Sequence, residues 1–182
     1  MIKRLDFRIL LGAGLILLGG MMFLEKLHIL RGASSLFWGA LLLVGAGYFL
    51  QIFFRDPRGN MWAVFPGAVL LGMGGSAIIP SAFEGWGGAV FLGAIGLGFW
   101  AVYFTDRSRW WAIIPGGVLL TLAAVSVMDR YFSDMGTGSI FFVGLGFTFL
   151  LVALLPNPSG KMQWAYIPAA VMGVMGAFLG SA

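Results

Sequence analysis

The chain has 182 residues, of which 60% are hydrophobic and only 10% charged, with a mean hydropathy of +0.96. Water-soluble domains carry charge on about a quarter of their residues, so a soluble fold is excluded, and no segment is left over for a globular domain of about 50 residues. The net charge of +4 does not point to nucleic acid, because Lys and Arg sit at the ends of apolar runs and never form a basic stripe; cysteine is absent, which removes disulfides, thiolate catalysis and Cys-ligated metals.

Seven charge-poor apolar runs lie near 8–24, 34–54, 61–79, 86–104, 110–128, 138–155 and 164–180. Each is long enough to cross roughly 30 Å of hydrocarbon as a helix. The expected fold is a single transmembrane domain over 1–182, an all-α integral membrane protein with seven transmembrane helices. The first run follows Lys3, Arg4 and Arg8; it lacks a small-x-small cleavage site and is long for a signal peptide, so it reads as an uncleaved span.

The short linkers hold nearly every charge. The N-terminus and the second, fourth and sixth linkers, with Arg55, Arg58, Arg107, Arg109 and Lys161 among them, hold eight Lys and Arg. The first, third and fifth linkers and the C-terminus hold three, namely Lys26, Arg31 and Arg130. The positive-inside rule then puts the N-terminus in the cytoplasm and the C-terminus outside.

Three of the runs open alike: Trp62-Ala63-Val64-Phe65-Pro66-Gly67, Trp111-Ala112-Ile113-Ile114-Pro115-Gly116 and Trp164-Ala165-Tyr166-Ile167-Pro168-Ala169. The prolines stand 49 and then 53 residues apart, which is the length of a two-helix unit. The expectation is three parallel two-helix repeats, about 34–80, 86–129 and 138–180. A half-repeat at 8–24 precedes them, where Ala13-Gly14-Leu15-Ile16-Leu17-Leu18-Gly19 aligns with Pro66 to Gly72. Turn chemistry closes each unit, as in Asp56-Pro57-Arg58-Gly59-Asn60, Asp106-Arg107-Ser108-Arg109 and Asn157-Pro158-Ser159-Gly160.

Trp62, Pro66, Trp111, Pro115, Trp164 and Pro168 are candidate interfacial kink positions. A proline inside a helix frees the carbonyl four residues back, here that of each Trp. One reading is a ring of carbonyls for a cation or lipid headgroup; the favoured one is an interfacial Trp anchor and a kink that lets the hairpin close. Small residues at every fourth position, Gly85, Ala89 and Gly93, then Ala68, Gly72 and Ser76, then Ala165, Ala169, Gly173 and Ala177, are candidate helix-packing stripes and suggest a close-packed bundle.

Chemistry is sparse. No span carries an ionisable residue away from its ends, which argues against a pump or coupled transporter. The glycine runs lie mid-span with no strand and no nearby Lys, unlike a phosphate loop. The lone His28 lacks companion ligands, and the expectation is no cofactor, no metal and no catalytic residue. Glu84, Asp129 and Asp134 at the outer ends are the one candidate acid/base set. Mild polar groups, Tyr48, Ser76, Thr121, Ser126 and Thr148, are the material for a small pore.

Residues 8–54, through Arg8-Ile9-Leu10-Leu11-Gly12, Leu15-Ile16-Leu17-Leu18-Gly19, Leu24-Glu25-Lys26-Leu27 and Leu36-Phe37-Trp38-Gly39-Ala40, resemble the LiaI/LiaF-like transmembrane region of bacterial envelope proteins. The resemblance implies a multi-pass protein of the bacterial cytoplasmic membrane that works through protein partners. The expected function is accordingly a non-enzymatic scaffold, accessory subunit or envelope sensor, acting on the lipid bilayer and on other membrane proteins or itself, with no nucleic acid. A small channel or facilitator is the alternative and a membrane enzyme the third.

For the orientation, a cysteine at Ser81 (Ser81→Cys) is expected to react with an impermeant thiol reagent from outside and one at Ser159 (Ser159→Cys) to stay unlabelled. The opposite pattern inverts the topology.

Overall fold

The computed structural model describes residues 33–80, 85–131, 137–155 and 162–181, together with Gly12, Ile16, Gly19, Gly20, Phe23, Phe83, Pro158 and Gly160. Within these it is all helical, with six long helices: α1 Ala33–Arg55, α2 Val64–Ile78, α3 Trp86–Thr105, α4 Ile113–Tyr131, α5 Thr137–Leu154 and α6 Tyr166–Ser181. Short 3-10 segments, Met61–Ala63, Arg107–Ala112 and Gln163–Ala165, lead into α2, α4 and α6. Counted with those segments, all six are long and apolar enough to cross a membrane. Helices suit such apolar runs because each backbone N–H and C=O is met within the segment, where hydrocarbon offers no partner. The run at 8–24 lies for the most part outside the described residues, as do His28, Ser81, Glu84, Asp134 and Lys161.

Helix ends follow local backbone chemistry. Gly85 precedes α3 at φ +100°, a left-handed conformation that only glycine adopts without strain. Ile79 leaves α2 in an extended conformation, as the residue before Pro80 must.

The helices form three antiparallel hairpins, α1/α2, α3/α4 and α5/α6, set side by side. Each long helix packs on the one before and the one after it in the chain, and among the described elements no two helices further apart share an extensive interface. The expected close-packed bundle is thus an open row. Within each hairpin the two helices are closed by glycine.

That closure uses one register throughout. A Cβ on Gly74 of α2 would lie 2.9 Å from the Gly39 carbonyl oxygen and 3.0 Å from the Leu43 amide nitrogen of α1. A Cβ on Gly176 of α6 would lie 2.8 Å from the Val143 nitrogen and 3.0 Å from the Ser139 oxygen of α5. In the middle hairpin Ala123 faces Gly93, whose Cβ would stand 3.9 Å from that of Ala123. Positions 43, 93 and 143 therefore meet 74, 123 and 176. Nearer the turns, Gly96 lies against the Gly116 carbonyl and Gly146 against Ala169 and Gly173, again backbone on backbone. Such approach maximises van der Waals contact, the main attraction left between helices in lipid. In the last hairpin the Ser139 hydroxyl also donates to the Gly176 carbonyl at 2.6 Å.

The stripes sort by neighbour. Ala68, Gly72 and Ser76 face α3, with Gly72 against the Phe91 backbone. Gly93 faces its own partner α4, Ala169 and Gly173 face α5, and Ala177 is exposed.

Gly74→Val is expected to destabilise the protein by about 1–3 kcal/mol through overpacking, read by denaturant titration in detergent. Gly47→Val, where an added Cβ meets nothing within 4 Å, changes stability by no more than about 0.5 kcal/mol. Equal losses at both sites contradict the close approach.

Candidate functional site

The short turns within the hairpins lead into the helices that return. Asp56 organises the first turn: its Oδ1 accepts the Gly59 N–H at 3.1 Å and its carbonyl accepts the Asn60 N–H at 2.9 Å, while the Asn60 side chain donates to the Ile52 carbonyl at 3.2 Å. Asp106, 50 residues on, does the same for the second. Its Oδ1 accepts from the Ser108 N–H at 3.0 Å and from the Ser108 hydroxyl at 2.7 Å, and Arg109 lies 3.5 Å from Oδ2. The Ser108 hydroxyl, the Ser108 N–H and the Arg109 charge hold the Asp106 carboxyl below its usual 3.8. In the third turn Asn157 and Ser159 lie outside the described residues.

Each turn runs into its 3-10 segment and then into an α-helix whose third residue is the proline. Pro66, Pro115 and Pro168 therefore sit in the first turn of α2, α4 and α6, where an N–H has no acceptor within its own helix to lose. The proline thus lies directly after the 3-10 segment, in the first turn of the α-helix and not several residues inside it as the freed-carbonyl reading expects. At the junctions, backbone N–H groups return to the carbonyls of Trp110 and Trp111 in the second hairpin and of Gln163 and Trp164 in the third. Two of the three tryptophan carbonyls thus have partners in the backbone, which removes the basis for a ring of free carbonyls.

The tryptophans serve instead as clasps. Trp62 meets Phe49 edge to face at 6.0 Å, Trp111 meets Phe99 at 6.2 Å, and Trp164 meets Phe149 at 6.3 Å. Each indole is only partly covered, and the alanine that follows it, Ala63, Ala112 or Ala165, is fully buried. Those alanines join Phe53, Val102, Tyr103, Ile113 and Val152 in one contiguous buried layer across all three hairpins. Between hairpins, Phe65 meets Phe99 edge to face at 5.1 Å, and Trp110 meets Trp164 in the same way at 6.2 Å. Arg107 stands 5.6 Å over the buried Tyr103 ring, and Arg55, Arg58 and Arg109 are exposed on the same end. The sequence signal for the phenylalanines is a 50-residue spacing on the first helix of each hairpin, Phe49, Phe99 and Phe149.

Three hydroxyls of the spans bond to carbonyls of their own helix. Ser76 donates to the Gly72 carbonyl at 2.7 Å, Ser126 to Ala123 at 2.9 Å and Thr148 to Gly144 at 2.8 Å. Thr121 and Thr148 interlock across α4 and α5 against Gly144 and Gly117, whereas Tyr48 lies on the outer edge of α1. Ser76 belongs to the α2/α3 interface, so these hydroxyls are spread along the row. A groove of about 270 Å³ between α3, α4 and α5 is lined by Trp100, Gly117, Thr121, Gly144, Phe147 and Thr148, and one of about 390 Å³ between α5 and α6 is almost wholly apolar. The Trp100 indole N–H is buried without a hydrogen-bond partner. Among the described residues no group of His, Cys, Asp or Glu is arranged to hold a metal. Asp129 lies near the end of α4, and its candidate companions Glu84 and Asp134 fall outside the described residues.

Two outcomes check this layer. A double-mutant cycle of Trp62→Leu and Phe49→Leu is expected to give a coupling energy of about 0.5–1.5 kcal/mol; a value of zero removes the clasp. In an NMR titration the Asp106 carboxyl is expected to lose its charge below 3.8, so the turn holds its full stability above that pH and loses it as pH falls through the lowered value. Ser108→Ala is expected to move the titration upward.

No family model matches the chain, and neither a curated protein nor a solved structure matches it.

Proposed function

We propose that the chain is a non-enzymatic membrane scaffold or accessory subunit, built from three and a half copies of a two-helix unit. The N-terminus is cytoplasmic and the C-terminus lies outside, with 8–24 as the first of seven spans in a bacterial cytoplasmic membrane. The observation that carries this reading is the open row. Among the described elements each long helix packs mainly on its neighbours in the chain, Ser76, Ser126 and Thr148 bond to backbone carbonyls, and many large apolar residues are exposed. Leu97, Phe104, Phe147 and Leu154 are among them. Such a slab offers wide surface for lipid and for the helices of other membrane proteins. The resemblance of residues 8–54 to the LiaI/LiaF-like region points the same way.

The equivalence of local contacts supports duplication. Proline is the third residue of each return helix, Trp meets Phe in each hairpin, and positions 43, 93 and 143 meet 74, 123 and 176 in the three pairs. The exposed Arg55, Arg58, Arg107 and Arg109 at the turn end support a cytoplasmic position for that end.

The test is isolation of the gently solubilised protein from its native membrane, with mass spectrometry of what accompanies it. A stoichiometric membrane-protein partner is the expected result. A protein that purifies without one and conducts ions or solutes in liposomes overturns the reading in favour of a channel.

A further inference from the structure

Where the second and third hairpins meet, polar side chains gather on one groove. The groove of about 270 Å³ is lined by Trp100 of α3, Thr121 of α4 and Thr148 of α5, and Leu120, Ile140, Phe147 and Leu151 complete its walls. The Trp100 indole N–H is buried without an acceptor, and the Thr121 hydroxyl has no hydrogen-bond partner among the described residues. Thr148 already donates its proton to the Gly144 carbonyl at 2.8 Å. Two donors without acceptors therefore stand beside the same groove.

The junction between the first two hairpins is built without these groups. Counting back 50 residues on the first helices and 49 on the return helices, Trp100, Thr148 and Thr121 correspond to Leu50, Gly98 and Gly72. The packing corresponds as well. A Cβ on Gly67 would lie 3.2 Å from Leu50 Cδ2, and one on Gly116 would lie 3.0 Å from Trp100 Cδ1 and 3.2 Å from Nε1. Leucine thus fills the place of Trp100 in the first hairpin, and Leu150 stands at it in the third. Leucine there carries no polar atom, whereas a buried N–H without an acceptor costs its full desolvation. All three exchanges put a polar side chain on the one groove. This comparison uses the reading of the hairpins as copies of one unit; the two donors stand without it.

We propose that this groove binds the head of a lipid-dissolved carbonyl compound, flat and compact as in the quinone class, whose oxygen accepts from the Thr121 hydroxyl and the Trp100 N–H. Two unpaired donors call for an acceptor oxygen, and walls of Leu, Ile and Phe call for an apolar body around it. Water meets only the first demand, because a buried water needs about 2–4 polar partners of its own. The N–H faces Gly116, next to Gly117 of the groove lining, and a turn about χ2, a broad torsion in tryptophan, brings it onto the oxygen. Ala124 and Phe147 are exposed where the groove opens, so a ligand enters from the bilayer and leaves its tail there. Depth separates this ligand from the bilayer lipids themselves. Trp100 stands five residues before the end of α3 and Thr121 eight residues after the start of α4, about 8 and 12 Å into the spans, whereas glycerol esters stay in the interfacial layer.

The test is an NMR titration of the full chain, labelled with nitrogen-15 and held in nanodiscs of ether-linked lipid, which has no ester carbonyl. Its seven tryptophans give seven indole N–H signals, and Trp100 is assigned by the signal lost in Trp100→Leu. A decyl-substituted benzoquinone is expected to move the Trp100 signal downfield, as a new hydrogen bond does, while decylbenzene leaves it in place. Thr121→Val is expected to weaken the titration about 3–10-fold with the other indole signals unmoved, and Thr121→Ser, which keeps the hydroxyl, to bind as the parent does. A Trp100 signal that the quinone leaves in place, or that decylbenzene moves as far, overturns the proposal. So does undiminished binding by Thr121→Val. A signal already downfield in nanodiscs of ester lipid but not of ether lipid assigns the groove to a bilayer lipid and overturns it too. None of these results touches the search for a membrane-protein partner, so the scaffold reading and this one fail separately.

Discussion

Glycine carbonyl and amide groups pressed against the backbone of the next helix are the contact on which this molecule depends. In an apolar solvent, burying a leucine gains little over leaving it in contact with lipid tails, so helices associate through close fit and not through hydrophobicity. Gly74 on Gly39, Gly96 on Gly116 and Gly146 on Ala169 and Gly173 bring helix axes as near as backbones allow. The large side chains are thereby freed to cover the outside, which is why so many Phe, Leu and Val residues are exposed. Composition that looks like a packed core, 60% hydrophobic, is here mostly surface.

The turn end answers a different requirement. Polar turns must be held close to an apolar slab, and the 3-10 segments manage this by burying one alanine and half-exposing one tryptophan in every hairpin. The tryptophan edge clasps a phenylalanine of the preceding helix, while its other side stays open. Aspartate closes the first two turns through backbone amides, joined in the second by the Ser108 hydroxyl and the Arg109 charge. Position along the membrane normal and the angle between helices are therefore set by the same few residues.

Much of the architecture was legible in the chain itself. Charge-free runs of helical length place six helices within about three residues of their observed bounds, and the Trp-to-Pro spacing marks the return helices. The role of proline was not legible: an apolar run has the same letters whether its first turn is 3-10 or α, so Pro66, Pro115 and Pro168 read as lying several residues inside a helix when they lie in its first turn. The 50-residue echo of the first helices was also obscured. Apart from Phe49, Phe99 and Phe149 its positions exchange one residue type for another, such as Tyr48, Gly98 and Thr148, because what is kept is a distance between backbones and not a side chain. Carboxylates at span ends carry no periodicity at all, and sequence offered no means of deciding whether Glu84, Asp129 and Asp134 share a pocket.

A row in which every interface joins elements adjacent in the chain has consequences for how it is made. The extensive described contacts span one hairpin or one junction between hairpins, so no early helix has to wait for a late one. Each hairpin can close as soon as its second helix has entered the bilayer and then dock on the one already in place, in the order of synthesis. Biogenesis thus proceeds as growth from one end, each hairpin offering its open edge to the next.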